Sequence, residues 1–198
     1  MPSIRAYWGR EIMDKELLDT IHRRIKYIWE EKIKEDYDDG WLLKEDTLKN
    51  ALYHHLRNEL SIVFAENNIR VFTEFTDDIF KGSKKRPDMV IATVDFEKEE
   101  HNGYYGDDIK ECIAVIEIKF KNANCADSIY ADYDKLESYI RDLKVNARLY
   151  MATIWEAEDM ATTWIRKNAA WAKGRVTELN ASFIKGTDRE TQFYVCEH

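Results

Sequence analysis

Hydrophobic positions in the first third of the chain recur at helical spacing. Residues 15–35 carry apolar side chains three and four positions apart, which is typical of one buried helical face. The same spacing returns over 46–66, and the following Asn67–Asn68 favours a helix end. The acidic stretch 35–40 between the two segments predicts a loop. We therefore expect two helices before the first strand.

The pattern then changes to the alternating or continuously apolar runs of β-strands. A polar stretch with two glycines at 97–109 predicts an inserted loop between the second and third of these runs. Strands are predicted at 69–75, 87–96, 111–120 and 148–155, with a helix at about 127–144 before the last of them.

The end of the chain predicts a Trp-rich helix over about 157–173 and a hairpin of strands at 176–184 and 192–196. The order is helix, helix, three strands, helix, strand, helix, two strands. This order is typical of an α/β or α+β protein with a mixed central sheet flanked by helices. The length of 198 residues fits a single domain, 1–198.

The composition excludes several classes of protein. With 44% hydrophobic and 34% charged residues, the chain is globular rather than disordered. No apolar run is long enough to cross a bilayer, and the first residues lack the apolar core of a signal peptide. The three cysteines are odd in number and have no metal-ligand spacing. We expect a cytoplasmic protein with no membrane partner.

The net charge of −8 argues against a protein that coats nucleic acid through bulk charge. The distribution of the charge along the chain still allows a local nucleic-acid contact. Lys84, Lys85 and Arg86 precede one predicted strand, and Lys121 ends another. These residues are the candidate substrate contacts of a locally basic cleft on an acidic body.

Charged side chains interrupt two predicted strands where the pattern demands apolar residues. Asp88 follows Pro87 at the start of one strand, and Glu117 and Lys119 lie two positions apart in the next, hence on one face. A buried charge costs folding free energy, so it usually has an ion-pair partner or a function. Two carboxylates and an ammonium that converge would form a divalent-cation site with a lysine beside it. Such a site suits phosphodiester cleavage.

These residues and the element order together resemble the PD-(D/E)xK nuclease superfamily, whose fold is restriction-endonuclease-like. The motif would be Pro87–Asp88 followed by Glu117–Ile118–Lys119. The family's αβββαβ core would span about 46–155, with 1–45 and 156–198 as an extra N-terminal helix and C-terminal additions. The resemblance implies metal-dependent hydrolysis of DNA phosphodiester bonds, with RNA still open as a substrate and the endo- or exonuclease mode unspecified.

The resemblance also implies a role for each residue of the motif. Asp88 and Glu117 would bind Mg²⁺ or Mn²⁺, with the Ile118 carbonyl as a further oxygen ligand. The metal would polarise the scissile phosphate and lower the pKa of a bound water. Lys119 would position that water or stabilise charge in the transition state. The alternative is a set of salt bridges across neighbouring strands.

Many family members carry a further acid on the first core helix. Glu59 is the candidate metal ligand here, because it shares a helix face with Leu52 and Leu56. Its alternative is an ion pair with Arg57 or a neighbouring lysine, and Glu45 and Glu74 are competitors for the role.

The helix at 127–144 carries Lys135 and Tyr139. Their spacing resembles the Gln-x-x-x-Tyr element of exonuclease-like branches of the family, with Lys in place of Gln. Lys135 would contact a substrate phosphate and Tyr139 would support the site. The alternatives are a surface lysine and a packed core tyrosine.

Two other classes of function stay open. A non-catalytic regulatory module on the same fold would bind nucleic acid or a protein partner. A structural or oligomer-forming protein would use the Trp-rich C-terminal region, where Trp164 and Trp171 lie seven positions apart. A homodimer would also suit an endonuclease that cuts both strands.

Overall fold

The computed structural model describes residues 15–75, 86–95, 109–122, 126–141, 147–158, 163–165 and 169–198. The helices are α1 (Lys15–Tyr27), α2 (Lys34–Asp38), α3 (Glu45–Glu59), α4 (Ser61–Glu66) and α5 (Ala126–Arg141), and a π-helical segment, Ile28–Ile33, joins α1 to α2. The strands are β1 (Ile69–Thr73), β2 (Met89–Val94), β3 (Ile109–Asn122), β4 (Arg148–Glu158), β5 (Val176–Phe183) and β6 (Thr191–Glu197).

All six strands form one mixed sheet in chain order. Strands β1 to β3 are antiparallel, β3 to β5 are parallel, and β6 pairs antiparallel with β5. This arrangement confirms the predicted α/β class with a mixed central sheet flanked by helices, and it confirms the C-terminal hairpin. Among the described residues, no helix has the length and apolar character needed to span a membrane.

The two faces of the sheet carry separate hydrophobic cores. Helices α1 and α3 pack on one face, where Leu48, Leu52 and Leu56 are fully buried. Burying each leucine stabilises the fold by about 1.5–3 kcal/mol. Helix α5 covers the other face through residues such as Leu136 and Tyr139.

The alternation of β3 positions the charged residues. Ile116 and Ile118 belong to the core beneath α3, whereas Val115 belongs to the core beneath α5. Because side chains alternate along a strand, Glu117 and Lys119 point to the α5 side. The predicted placement of these two residues on one face is therefore confirmed.

The N-terminal helices differ from the prediction at their ends. Helical structure continues through the acidic residues to Asp38, where a loop was predicted from residue 35. The predicted helix 46–66 is broken at Leu60, whose φ of −109° ends α3 and begins α4. Leu60 keeps helical hydrogen bonds on both sides, because its amide donates to the Leu56 carbonyl at 3.1 Å and its own carbonyl accepts the Phe64 amide at 2.8 Å.

The predicted Trp-rich helix over 157–173 is wrong within the described residues. Strand β4 runs to Glu158, and 163–165 and 169–175 lie in bends, turns and irregular structure. The amides of Trp164 and Ile165 donate to the Glu178 carboxylate at 3.1 and 2.7 Å. A buried carboxylate thus takes the donors that a helix would direct to its own carbonyl groups.

Candidate functional site

Asp88 lies where strand β2 begins, next to Glu117. The β2–β3 pairing reaches Met89 opposite Ile116, so the next residue of each strand is Asp88 and Glu117. The Asp88 Oδ2 accepts the Ile118 amide at 2.9 Å. This bond replaces the missing ladder partner of Ile118 and fixes the carboxylate against the middle of β3.

Glu117 is fully buried between β3 and α5. Its Oε1 accepts the Tyr139 hydroxyl at 2.9 Å, and its Oε2 lies 2.5 Å from the Lys135 Nζ. Burial raises the pKa of Glu117 to about 8; the Lys135 charge opposes this rise and the Asp88 charge adds to it. The two carboxylates are thus close enough to repel each other.

Lys119 lies further along the same face of β3. Its Nζ is 2.9 Å from Asp132 of α5 and 3.2 Å from Glu45 of α3. Burial lowers the pKa of Lys119, but the hydrogen bond to Asp132 and the charge of Glu45 outweigh this effect, so its pKa lies above the usual value. Lys119 is therefore a firmly protonated cation held by two helices.

One face of α5 meets the charged positions of β3. Asp132, Lys135 and Tyr139 are three and four residues apart, so they lie on the same side of the helix. Asp132 binds Lys119, while Lys135 and Tyr139 bind Glu117. Tyr139 is fully buried in the core beneath α5, which fits the alternative of a packed core tyrosine, and its hydroxyl also contacts Glu117. Lys135 pairs with the carboxylate in this structure, whereas the sequence predicted a substrate phosphate.

Glu59 does not lie at this site. Its Oε2 forms an ion pair at 3.1 Å, but with Arg24 of α1 rather than with Arg57 or a neighbouring lysine. It ends α3, whereas Glu45 begins that helix beside Lys119. Fourteen residues of helical rise put the two about 21 Å apart along the axis. The prediction that Glu59 joins the site is therefore wrong, because a shared helix face does not fix the position along the axis. Of the two competing acids, Glu45 pairs with Lys119 and Glu74 pairs with Lys49.

Lys49 is a member of the site that the sequence reasoning missed. Its Nζ contacts Glu74 and lies 3.9 Å from the Asp88 Oδ1. Its four-residue spacing from Glu45 puts both on one side of α3, which is the signal that could have identified it. Glu74, the other competing acid, also pairs with Arg86 at 2.5 Å.

The candidate substrate contacts are only partly within the described residues. Lys84 and Lys85 lie outside them. Arg86 borders the site, because it pairs with Glu74. Lys121 is half-exposed and lies two residues beyond Lys119 on β3, hence on the same face of the strand.

Asp88 and Glu117 are the side chains that could hold a divalent cation. Within the described part of the chain, no group of three or more His, Cys, Asp or Glu side chains is arranged to hold an ion. Mg²⁺ is commonly bound through one or two carboxylates while it keeps several waters. Two mutually repelling carboxylates, one of them fully buried, fit such an ion. The Ile118 amide, next in the chain to Glu117, donates to Asp88, and the prediction of its carbonyl as a metal ligand stays a prediction.

Comparisons with protein-family models, with curated proteins and with solved structures each find no match to this chain.

Proposed function

We propose that this protein is a metal-dependent nuclease that hydrolyses phosphodiester bonds in DNA. The observation that carries the proposal is the meeting of Asp88 and Glu117 on adjacent strands, with Lys119 two residues further on the same face. From Glu45 to Glu158 the order is two helices, three strands, a helix and a strand, which is the order expected around this motif apart from the break between α3 and α4. RNA remains an open alternative as the substrate.

Each residue of the site would have a different role in hydrolysis. Asp88 is held by the Ile118 amide through Oδ2, and its Oδ1, which lies 3.9 Å from the Lys49 Nζ, is the oxygen that would bind a divalent cation. Glu117 is oriented by the Tyr139 hydroxyl. A bound Mg²⁺ or Mn²⁺ would supply Lewis-acid polarisation of the phosphate and a lowered pKa for a bound water. Lys119 carries a permanent positive charge on the same face, where it can stabilise the growing negative charge of the transition state.

A metal-dependent thermal shift tests the proposed cation site. Mn²⁺ or Mg²⁺ should raise the melting temperature of the wild type, because a ligand that binds only the folded state stabilises it. Asp88→Asn should lose this shift. The matched control Asp46→Asn, at an exposed aspartate paired with Lys44, should keep it. A shift that Asp88→Asn retains would move the metal elsewhere.

The second candidate is a non-catalytic module that binds nucleic acid or a protein partner. One observation favours it: both oxygens of Glu117 already have partners in Lys135 and Tyr139, so this carboxylate is neutralised without a metal. Such a module would show no metal-induced stabilisation. It would still bind an oligonucleotide or a partner when EDTA is present.

A further inference from the structure

Glu74 binds two cations at the edge of the site, one with each oxygen. Its Oε1 contacts the Lys49 Nζ, and its Oε2 lies 2.5 Å from an Nη atom of Arg86. The Lys49 side chain is 13% exposed, whereas those of Glu74 and Arg86 are 39% and 56% exposed. A carboxylate held between a lysine and an arginine presents its oxygens as two oxygens of a phosphate would.

The backbone of Glu74 is held in an unfavourable conformation. Its φ is 52°, in the left-handed region where a side chain with a Cβ is disfavoured. Its amide donates to the Asp88 carbonyl oxygen at 3.0 Å. Strain of this kind persists where surrounding structure enforces it, and it concentrates at functional sites. Here it accompanies a backbone hydrogen bond to Asp88, while the Glu74 carboxylate contacts Lys49 and Arg86.

We propose that Lys49 and Arg86 form a phosphate-binding pair next to Asp88, and that Glu74 occupies this pair in the free protein. The ligand is a phosphodiester of a nucleic-acid backbone or a free phosphate, which share the chemistry that the pair recognises. The inference rests on the proposed function for its account of why such a group arrives beside Asp88.

The position of Lys49 supports a phosphate rather than a purely structural ion pair. Its ammonium lies between Glu74 and the Asp88 Oδ1, so it borders both the pair and the candidate cation site. A divalent cation at Asp88 would repel this ammonium, and a phosphate would then be a better partner for it than the aspartate. Glu74, shared with Arg86 and partly exposed, is the group that the phosphate displaces.

The test is oligonucleotide binding in EDTA, where no cleavage occurs. Fluorescence anisotropy would follow labelled single- and double-stranded DNA over a series of salt concentrations. Glu74→Gln should tighten binding about three- to fivefold at low salt, because the competing carboxylate is lost. Glu74→Gly suits the left-handed backbone and should do the same, so the test survives if the glutamine variant folds poorly. Glu59→Gln, at the far end of α3, is the control and should change nothing.

Substitution of the two basic residues should have the opposite effect on DNA binding. Lys49→Met should weaken binding and reduce the slope of log K against log salt by about one unit or slightly less. Lys44→Met, on an exposed lysine at the start of α3, is the control and should leave the slope unchanged. Combining Lys49→Met and Arg86→Met with Glu74→Gln should abolish the gain.

Inorganic phosphate distinguishes the two ligand sources and separates this inference from the proposed function. If DNA does not bind but phosphate stabilises Glu74→Gln more than a chloride control does, the result supports Lys49 and Arg86 as a phosphate-binding pair and contradicts the nuclease proposal. If the wild type binds DNA and the Glu74 variants have the same DNA affinity as Glu59→Gln, the proposed phosphate-binding pair is wrong and the nuclease proposal is unaffected. Absence of binding to both ligands in every variant overturns the pair.

Discussion

Two fully buried glutamates on the same face of the sheet have different surroundings. Glu117 of β3 and Glu178 of β5 both lie opposite Met151 of β4, so their Cα atoms are about 10 Å apart in one row. Among the described residues, Glu178 is met by Thr163, Trp164, Ile165, Asn180 and His198 at 2.7–3.3 Å.

Glu117 has fewer and more exchangeable partners. Within the described residues, one hydroxyl and one ammonium donate to it, and the Asp88 carboxylate lies beside it. Glu178 is saturated by groups that fix 163–165 to the sheet, which is a structural role. Burial of a carboxylate therefore does not mark a functional site by itself. The distinguishing feature of Glu117 is a second carboxylate, Asp88, whose charge adds to the rise in the Glu117 pKa.

The largest expected effect is on cleavage at Asp88. Asp88→Ala should reduce metal-dependent cleavage on the order of 10³-fold or more, about 4 kcal/mol of barrier. The fold should remain at a cost of about 1–3 kcal/mol or less, because the Ile118 amide loses its acceptor while the repulsion from Glu117 is relieved. A cleavage assay beside a urea unfolding curve checks both points. Cleavage that persists after the substitution would contradict the assignment of Asp88 to the catalytic site.

The two glutamates should differ in what they contribute to stability. Glu178→Ala should destabilise the protein by about 3–5 kcal/mol, because it leaves buried amides of Trp164 and Ile165 without an acceptor. Glu117→Gln should not destabilise the metal-free protein, since a neutral amide removes the repulsion from Asp88 and still accepts the Tyr139 hydroxyl. Urea unfolding in EDTA measures both. The reverse order would contradict the assignment of roles.

Lys119 should affect turnover rather than metal binding. Lys119→Met should lower kcat about 10²-fold, through loss of a charge that stabilises the transition state, and leave metal affinity nearly unchanged. Lys110→Met is the control, because this exposed lysine near the start of β3 pairs with Asp95. Isothermal titration and single-turnover kinetics separate the two quantities. A large loss of metal binding would instead give Lys119 a structural role.

The smallest expected effect is on the pH dependence of metal affinity. A metal ligand must be deprotonated, and the pKa of Glu117 is raised to about 8. Metal affinity should therefore increase with pH up to about 8. Without metal, the Glu117 contribution to stability is full below its unfolded pKa and is lost as pH rises through about 8. Titrations at several pH values test this, with Glu117→Gln as the comparison. A flat profile in the wild type would contradict it.

Sequence periodicity predicted the features that depend on neighbours along the chain. The alternation around β3 placed Glu117 and Lys119 on one face, and four-residue spacing placed Lys135 and Tyr139 together on α5. These features depend on strand and helix geometry, which the sequence displays directly.

The rest depends on contacts between distant parts of the chain. The spacing of apolar residues around Trp164 favoured a helix, but Glu178 captures the amides of that segment from another strand. The helix face shared by Glu59 with Leu52 and Leu56 did not reveal that Glu45 is the end of α3 that meets β3. The meeting of Lys49 with Glu74 likewise required the tertiary structure.

The most direct test of the account is a cleavage assay on single- and double-stranded DNA with Mn²⁺, Mg²⁺ or EDTA, run beside Glu117→Ala. The account predicts cleavage that requires metal and disappears with Glu117→Ala. No cleavage of either substrate, together with no stabilisation by metal, would contradict it and favour the non-catalytic binding module.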